Sequence, residues 1–281
     1  MFMACSTSEK LAVSDTSITN EVKTSSNPIC FNHSVLVLES TTYEAVVNSE
    51  FINQFAFSYE KQLKGWKGFY MFGKTNYLEL FHPKSFEDHE EEEGVIWICH
   101  ASLKPNHLEQ LNKQKFDFIE YESEDELDYL NLVMNDSVDP TISTWEMGKN
   151  YYESWTKKEY HDSIEFLPVD YNSPKDTDSS SNYLMNDVYG IGLSLNPDDS
   201  LKVISYLKEI GYESFSEFNG NTRISNNDQF IELLVSEETK SPTINRYYIK
   251  LNQSIEQHTE VIGNSRIECN GKLAIWYFEI K

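Results

Sequence analysis

Apolar and polar positions along this chain fall into short runs, and the runs follow one order repeatedly. Ser34-Val-Leu-Val-Leu38 is an apolar run with polar residues around it, the pattern of a buried strand. Thr41 or Thr42 then offers a helix cap with Glu44 in the first turn, and the helix is expected to end near Gln54. Three strand-like runs follow, at residues 55–60, 68–72 and 77–81, with Gly73-Lys-Thr-Asn76 as a hairpin-like turn between the last two. The order is β-α-β-β-β. An acidic run at 87–93 reads as a solvated loop. The order then starts again. Residues 94–99 read as a strand, 104–114 as a helix carrying Leu108 and Leu111, and 116–119, 127–134 and 142–147 as strands. Tyr151-Tyr-Glu-Ser-Trp155 is aromatic and receives no assignment.

A third segment begins after a polar stretch. Tyr189-Gly-Ile-Gly-Leu-Ser-Leu195 alternates like a strand. Asn196 caps a helix with Pro197 just inside it and carboxylates in its first turn, and Gly211 ends it. Residues 221–225 and 229–235 make a hairpin around Asn226-Asn-Asp228, and strands at 246–251 and 273–280 complete the chain, with Asn270-Gly271 as a hairpin signal before the last one. The expected organisation is a disordered polar tether at 1–29, modules at 30–93 and 94–170, a linker at 171–186, and a third β-rich segment at 187–281.

Composition narrows the function classes. With 39% hydrophobic and 14% aromatic residues, 281 residues can build a substantial core. The formal charge of -23 repels phosphate backbones and anionic headgroups, so no nucleic-acid partner is expected. No apolar run is long enough for a transmembrane helix. Cys5, Cys30, Cys99 and Cys269 show no zinc-ribbon or CxxC spacing; Cys99 and Cys269 sit in apolar runs and read as core. Met-Phe-Met-Ala-Cys5-Ser resembles the end of a bacterial lipoprotein signal, without the charged and apolar parts of a leader. Two locations stay open: a lipid-anchored protein of the bacterial cell envelope attached at Cys5, if the true start lies upstream, or the cytoplasm. Serine-hydrolase, zincin, P-loop and dinucleotide fingerprints are absent, and Gly190-Ile-Gly192 is a lone GxG.

Asp198-Asp-Ser-Leu-Lys-Val-Ile-Ser-Tyr-Leu-Lys-Glu-Ile-Gly-Tyr212 followed by Ile231-Glu-Leu-Leu234 resembles the modules of the vicinal-oxygen-chelate superfamily, which holds glyoxalases, bleomycin-resistance proteins and extradiol dioxygenases. Phe31-Asn-His33-Ser-Val-Leu-Val-Leu38 with Tyr77-Leu-Glu79-Leu-Phe81 is similar, and the tail, Ile262 to Ile267 and Ala274 to Phe278, resembles an uncharacterised bacterial glyoxalase-like family. The resemblance implies an α+β fold of repeated βαβββ modules in curled mixed sheets, with an extra C-terminal β-rich segment. It also implies a divalent metal (Zn, Fe, Mn or Ni) held by His33 and Glu79, with His100 and Glu146 as weaker ligand candidates. Glu232 is the analogous glutamate of the third segment, whose first strand lacks a histidine. Alternation independently turns Glu79 to the face opposite Leu78 and Leu80, where a buried carboxylate would need a partner. Two classes of function stay level: a metal-dependent lyase, isomerase or dioxygenase acting on a small oxygen-rich molecule, or a metal-free module that binds or sequesters one. A structural or interaction role at the envelope is the third. The partner expected is a small-molecule ligand, and a homodimer is left open.

Overall fold

The computed structural model describes residues 27–111, 115–122, 128–134, 142–172 and 178–279. The proposed lipid site Cys5, and the expected tether apart from its last residues, lie outside them.

The protein is a mixed α+β fold of two mixed, curled sheets. The first sheet holds β1 (Ile29–Val37), β2 (Phe57–Leu63), β3 (Trp66–Phe72), β4 (Tyr77–Phe81), β5 (Ile96–Ser102), β6 (Phe116–Glu122), β7 (Asp128–Met134) and β8 (Ile142–Met147), in the order β2-β3-β4-β1-β5-β8-β7-β6. Within each half the first strand runs parallel to the last (β1 with β4, β5 with β8), and β1 and β5 join the halves antiparallel. The second sheet holds β9 (Met185–Leu195), β10 (Ser214–Phe218), β11 (Asn221–Asn226), β12 (Gln229–Val235), β13 (Thr243–Ile262) and β14 (Ser265–Phe278), in the order β10-β11-β12-β9-β13-β14. Strands β9 to β12 repeat the arrangement of β1 to β4, and β13 lies antiparallel beside β9 as β5 lies beside β1.

The inner faces of the two sheets close on one core, which takes Leu36, Leu78, Leu80 and Ile98 from the first and Ile191, Leu193, Ile231 and Trp276 from the second. Two helices of the first module, α1 (Ser40–Val47) and α2 (Glu50–Phe55), add Val46, Ile52 and Phe55 to it. Buried polar ties cross the seam. The hydroxyls of Ser34 and Tyr247 are 2.9 Å apart, those of Thr144 and Tyr206 2.7 Å, and Asn76 bonds both the carbonyl and the N–H of Val188. Such ties fix the relative register of the sheets, because an unpaired buried polar group costs about 1–3 kcal/mol.

Several elements differ from expectation. The first helix is split, because Ser49 Oγ accepts from Ile52 N and starts a new helix; residue 39, not Thr41 or Thr42, is the first cap. The second module has no α-helix among residues 104–111, only a 3₁₀ turn at Leu108–Gln110. Pro105 and the left-handed Asn106 (φ 56°) interrupt the helical pattern there, and the Glu146 carboxylate takes the N–H groups of residues 106 to 108. The unassigned aromatic stretch is a helix, α3 (Lys149–Thr156). As expected, Asn196 accepts from Asp199 N at the start of α4 (Pro197–Glu209), and Gly211 (φ +91°) follows its end. Asn270-Gly271 is not a hairpin. The chain passes through it within β14, and the turn lies at Gly263-Asn264, where Asn264 N donates to Thr42 Oγ1 of the first module.

Candidate functional site

Strand alternation decides what the outer face of the first sheet presents. In β4, Leu78 and Leu80 enter the core, so Tyr77, Glu79 and Phe81 point the other way. Register then sets Tyr70 of β3 opposite Glu79, and His33 of β1 opposite Tyr77. A bulge in β1 between Phe31 and His33 keeps Phe31 in the core while His33 faces outward.

His33 Nε2 lies 3.8 Å from Glu79 Oε1. That is beyond hydrogen-bond range and close enough for one ligand atom to touch both. On its other side, His33 Nδ1 is 2.7 Å from Asn32 Oδ1, which also accepts from Trp145 Nε1 at 3.3 Å. The amide oxygen needs donors, so Nδ1 carries the proton and Nε2 turns its lone pair towards Glu79. Burial, with His100 nearby adding to it, holds the imidazole down to about 3, so it is neutral at physiological pH. Burial pushes the Glu79 carboxyl up to about 7, against the lowering effect of the Tyr70 hydroxyl, of Lys61 and of the Tyr77 hydroxyl. Tyr70 Oη donates to Glu79 Oε2 at 2.9 Å. Near neutral pH the site therefore combines an uncharged base with a carboxyl that exchanges a proton. Cys99, opposite His33 in β5, receives Ser143 Oγ–H at 3.6 Å, and its thiol is pushed up to about 12 by burial, so it is no thiolate.

Aromatic rings surround these groups. His33 stacks on Tyr77 at 4.7 Å, and Tyr77, Tyr70, Phe72 and Tyr59 continue as near-parallel rings 5.3–6.1 Å apart. On the second-module side Trp145 stands edge-on to His33 at 6.4 Å and to Tyr171 at 4.9 Å.

The two weaker candidates stand elsewhere. His100 lies inside β5, not beyond its end, and faces the core, where Nε2 meets Tyr212 Oη at 2.9 Å; burial holds it down to about 4. Glu146 is occupied by the N–H groups of Asn106, His107 and Leu108 at 2.6, 3.0 and 3.1 Å. Neither joins His33 and Glu79, and among the described residues no three His, Cys, Asp or Glu side chains converge as a metal site. The four-donor centre that the resemblance implied does not fit this donor set. Asn32 was missed in the sequence, because its place beside His33 Nδ1 and Trp145 Nε1 depends on the bulge and on cross-strand register, which local pattern does not carry.

The third module has a different version of the same face. Glu232 of β12 takes the position of Glu79, Gly190 of β9 that of His33, and Arg223 of β11 that of Tyr70. Phe230 fills the place of the imidazole: a Cβ on Gly190 would come within 2.3 Å of its ring. Glu232, 1% exposed, accepts from Asn221 at 2.9 Å, from Arg223 at 3.2 Å and from the Tyr248 hydroxyl. Burial raises this carboxyl, but Tyr248, Asn221 and Arg223 together outweigh burial and hold it below its usual range.

Residues 31–278 match a family described as "Family of unknown function (DUF5829)". No curated protein matches the sequence. Among solved structures the chain is similar to a hypothetical protein from Staphylococcus aureus, at 12% identity and a TM-score of 0.46, over 85% of this chain and 97% of that one. It is also similar to BphC, a halotolerant catechol dioxygenase, at 10% identity and a TM-score of 0.43, over 89% of this chain and 86% of that one.

Proposed function

We propose that this chain, which belongs to the family of unknown function DUF5829, binds a small planar molecule carrying a hydroxyl or carbonyl group on the outer face of its first sheet. One observation carries this reading. A neutral imidazole, a carboxyl near its midpoint at neutral pH and a tyrosine hydroxyl converge on one spot among stacked rings. The rings offer apolar area and flat contact. The three polar groups offer the His33 Nε2 acceptor, a carboxyl that donates or accepts as the ligand requires, and the Tyr70 oxygen, which accepts while its proton is held by Glu79. Apolar walls with a few converging polar groups are what small-molecule sites are made of.

The test is titration of a panel of phenols, quinones and neutral aromatic ketones, followed by tryptophan fluorescence, since Trp145 borders the site. A micromolar binder that weakens at least tenfold in Glu79→Gln and in His33→Ala supports the reading. A panel without binders, or a binder indifferent to both substitutions, overturns it.

A second reading rests on the 3.8 Å separation of His33 Nε2 and Glu79 Oε1. Two donors each about 2.0–2.2 Å from one ion lie up to about 4.4 Å apart, so the pair can share a divalent cation at a wide donor–ion–donor angle. The protein would then be a metal-dependent lyase, isomerase or dioxygenase acting on an oxygen-rich molecule. Elemental analysis of the purified protein beside the His33→Ala, Glu79→Ala double variant separates the readings. Stoichiometric metal that vanishes in the variant favours the enzyme, and none after divalent ions are added back rejects it.

A further inference from the structure

The sequence contains three arginines, Arg223, Arg246 and Arg266, against 46 acidic residues, and all three gather on the second sheet. Register makes the arrangement specific. Arg223, Glu232, Gly192, Arg246 and Tyr277 stand directly opposite one another across β11, β12, β9, β13 and β14, so they form one cross-strand row on one face. Arg266 reaches the same place, with its guanidinium 4.3 Å from the Tyr277 ring centre, while that of Arg246 is 5.4 Å away. Arg223 lies over Phe218 and Phe230 at 3.6 and 4.3 Å.

Two of these cations are neutralised and one is not. Arg223 pairs with Glu232, and Arg266 Nε donates to Glu268 at 2.8 Å. Arg246 donates from Nε to the amide oxygen of Asn245 at 3.0 Å. Its terminal nitrogens make no hydrogen bond, and no carboxylate lies at ion-pair distance, among the described residues. The arginine is held in place none the less. Its stem crosses β9 at Gly192, where a Cβ would come 2.6 Å from Arg246 Cγ and 2.8 Å from Asn245 Oδ1. Asn245 is itself fixed by a bond from its Nδ2 to Ser194 Oγ at 2.8 Å. A guanidinium oriented through Nε, with its outer edge unused, presents the fork that grips two oxygens of one carboxylate or phosphate.

We propose that this strip is a second binding site, distinct from the one at His33 and Glu79, which takes a small molecule bearing a carboxylate or phosphate with Arg246 as its anchor. The neighbouring Tyr277 and Tyr248 rings provide the apolar side of the contact. On a chain of formal charge -23, a row that gathers all three arginines against Glu232 and Glu268 is locally cationic, which favours an anion there.

The experiment uses the full chain and three probes, benzoate, phenyl phosphate and benzyl alcohol, with binding followed by ligand-observed NMR. Benzoate, phenyl phosphate or both should bind, and benzyl alcohol should bind at least tenfold more weakly; which anion binds tells a carboxylate from a phosphate ligand. Arg246→Gln should reduce the anion's affinity at least tenfold. Arg246→Lys keeps the charge and the stem but loses the fork, and should reduce it about threefold or more, which covers the case where the glutamine variant does not fold. Glu79→Gln should leave it unchanged. Equal binding of benzyl alcohol, no binding of either anion, or affinity unaffected in both Arg246 variants would overturn the proposal. So would loss of anion binding in Glu79→Gln, which would put the anion at the first sheet.

Discussion

Glu79 in β4 and Glu232 in β12 occupy the same place in two like modules, each in the middle of a strand that runs parallel to its module's first strand. Their carboxyl groups have moved in opposite directions. Glu79 is pushed up to about 7 and Glu232 is held low. The cause is what stands opposite. Glu79 faces Tyr70, a neutral donor, and a histidine that burial keeps uncharged. Glu232 accepts from Tyr248 and Asn221, which lower it most, and the charge of Arg223 adds to them, while Phe230 closes the gap that Gly190 leaves. The strand code is the same in both. One face leaves its carboxyl without a cation, while the other ties its carboxyl to Arg223 and leaves the outer edge of Arg246 unpaired among the described residues.

The comparison can be broken most forcefully at Arg223. Arg223→Ala strands a buried carboxylate and is expected to cost about 3–5 kcal/mol at pH 7 by urea denaturation. Glu232 contributes stability above its unfolded value of 4.5 that is lost as pH falls through its lower folded value. Without Arg223 the carboxyl should take up a proton, so the deficit should shrink towards pH 5. A deficit that is constant with pH would show that the cation does not set the difference.

Glu79→Gln should act in the opposite sense. Since the folded value of Glu79 is raised, its favourable contribution is complete below 4.5 and is lost as pH rises through about 7. The glutamine variant should therefore be more stable than the parent at pH 8, by about 1–3 kcal/mol, and about equal at pH 4. A destabilised variant at pH 8 would mean that Glu79 is held charged as Glu232 is.

His33 sharpens the same contrast from the acid side. Its folded value is lowered to about 3, so protonation of the unfolded chain below 6.5 draws stability away as pH falls. His33→Gln should remove about 1–2 kcal/mol of the loss that the parent suffers between pH 7 and pH 5. Identical pH profiles would place the imidazole in contact with water.

The smallest effect is expected at Tyr70→Phe. Losing one hydroxyl donor should raise the Glu79 midpoint by about one unit, as read from the carboxyl carbon shift in an NMR titration, and leave the midpoint of Glu232 in place. A fall in the Glu79 midpoint would contradict the assigned hydrogen bond.

Much of the fold is legible in the residues. The alternation in Tyr77-Leu-Glu-Leu-Phe81 turns Glu79 away from Leu78 and Leu80 in any sheet, and Asn196, Pro197 and Gly211 mark the limits of α4 by local chemistry alone. His33 and Glu79 could be picked as a pair only through the resemblance to vicinal-oxygen-chelate modules. Local pattern misled where a distant group decided the outcome. Leu108 and Leu111 have helical spacing, yet Glu146 captures the N–H groups a helix would begin with. Asn270-Gly271 has hairpin chemistry, yet β13 continues as its partner and Gly263 makes the turn against Thr42.

The sequence by itself thus determined which side chains share a face and how each module is ordered, because a period of two and a helix cap are properties of neighbours along the chain. Only the tertiary structure decided which side chains meet. Register set Tyr70 against Glu79 and Arg223 against Glu232, the bulge after Phe31 turned His33 outward, and the seam between the sheets took His100 to Tyr212. Those contacts join residues far apart in the chain, and they depend on how two sheets bury one core rather than on any short stretch of residues.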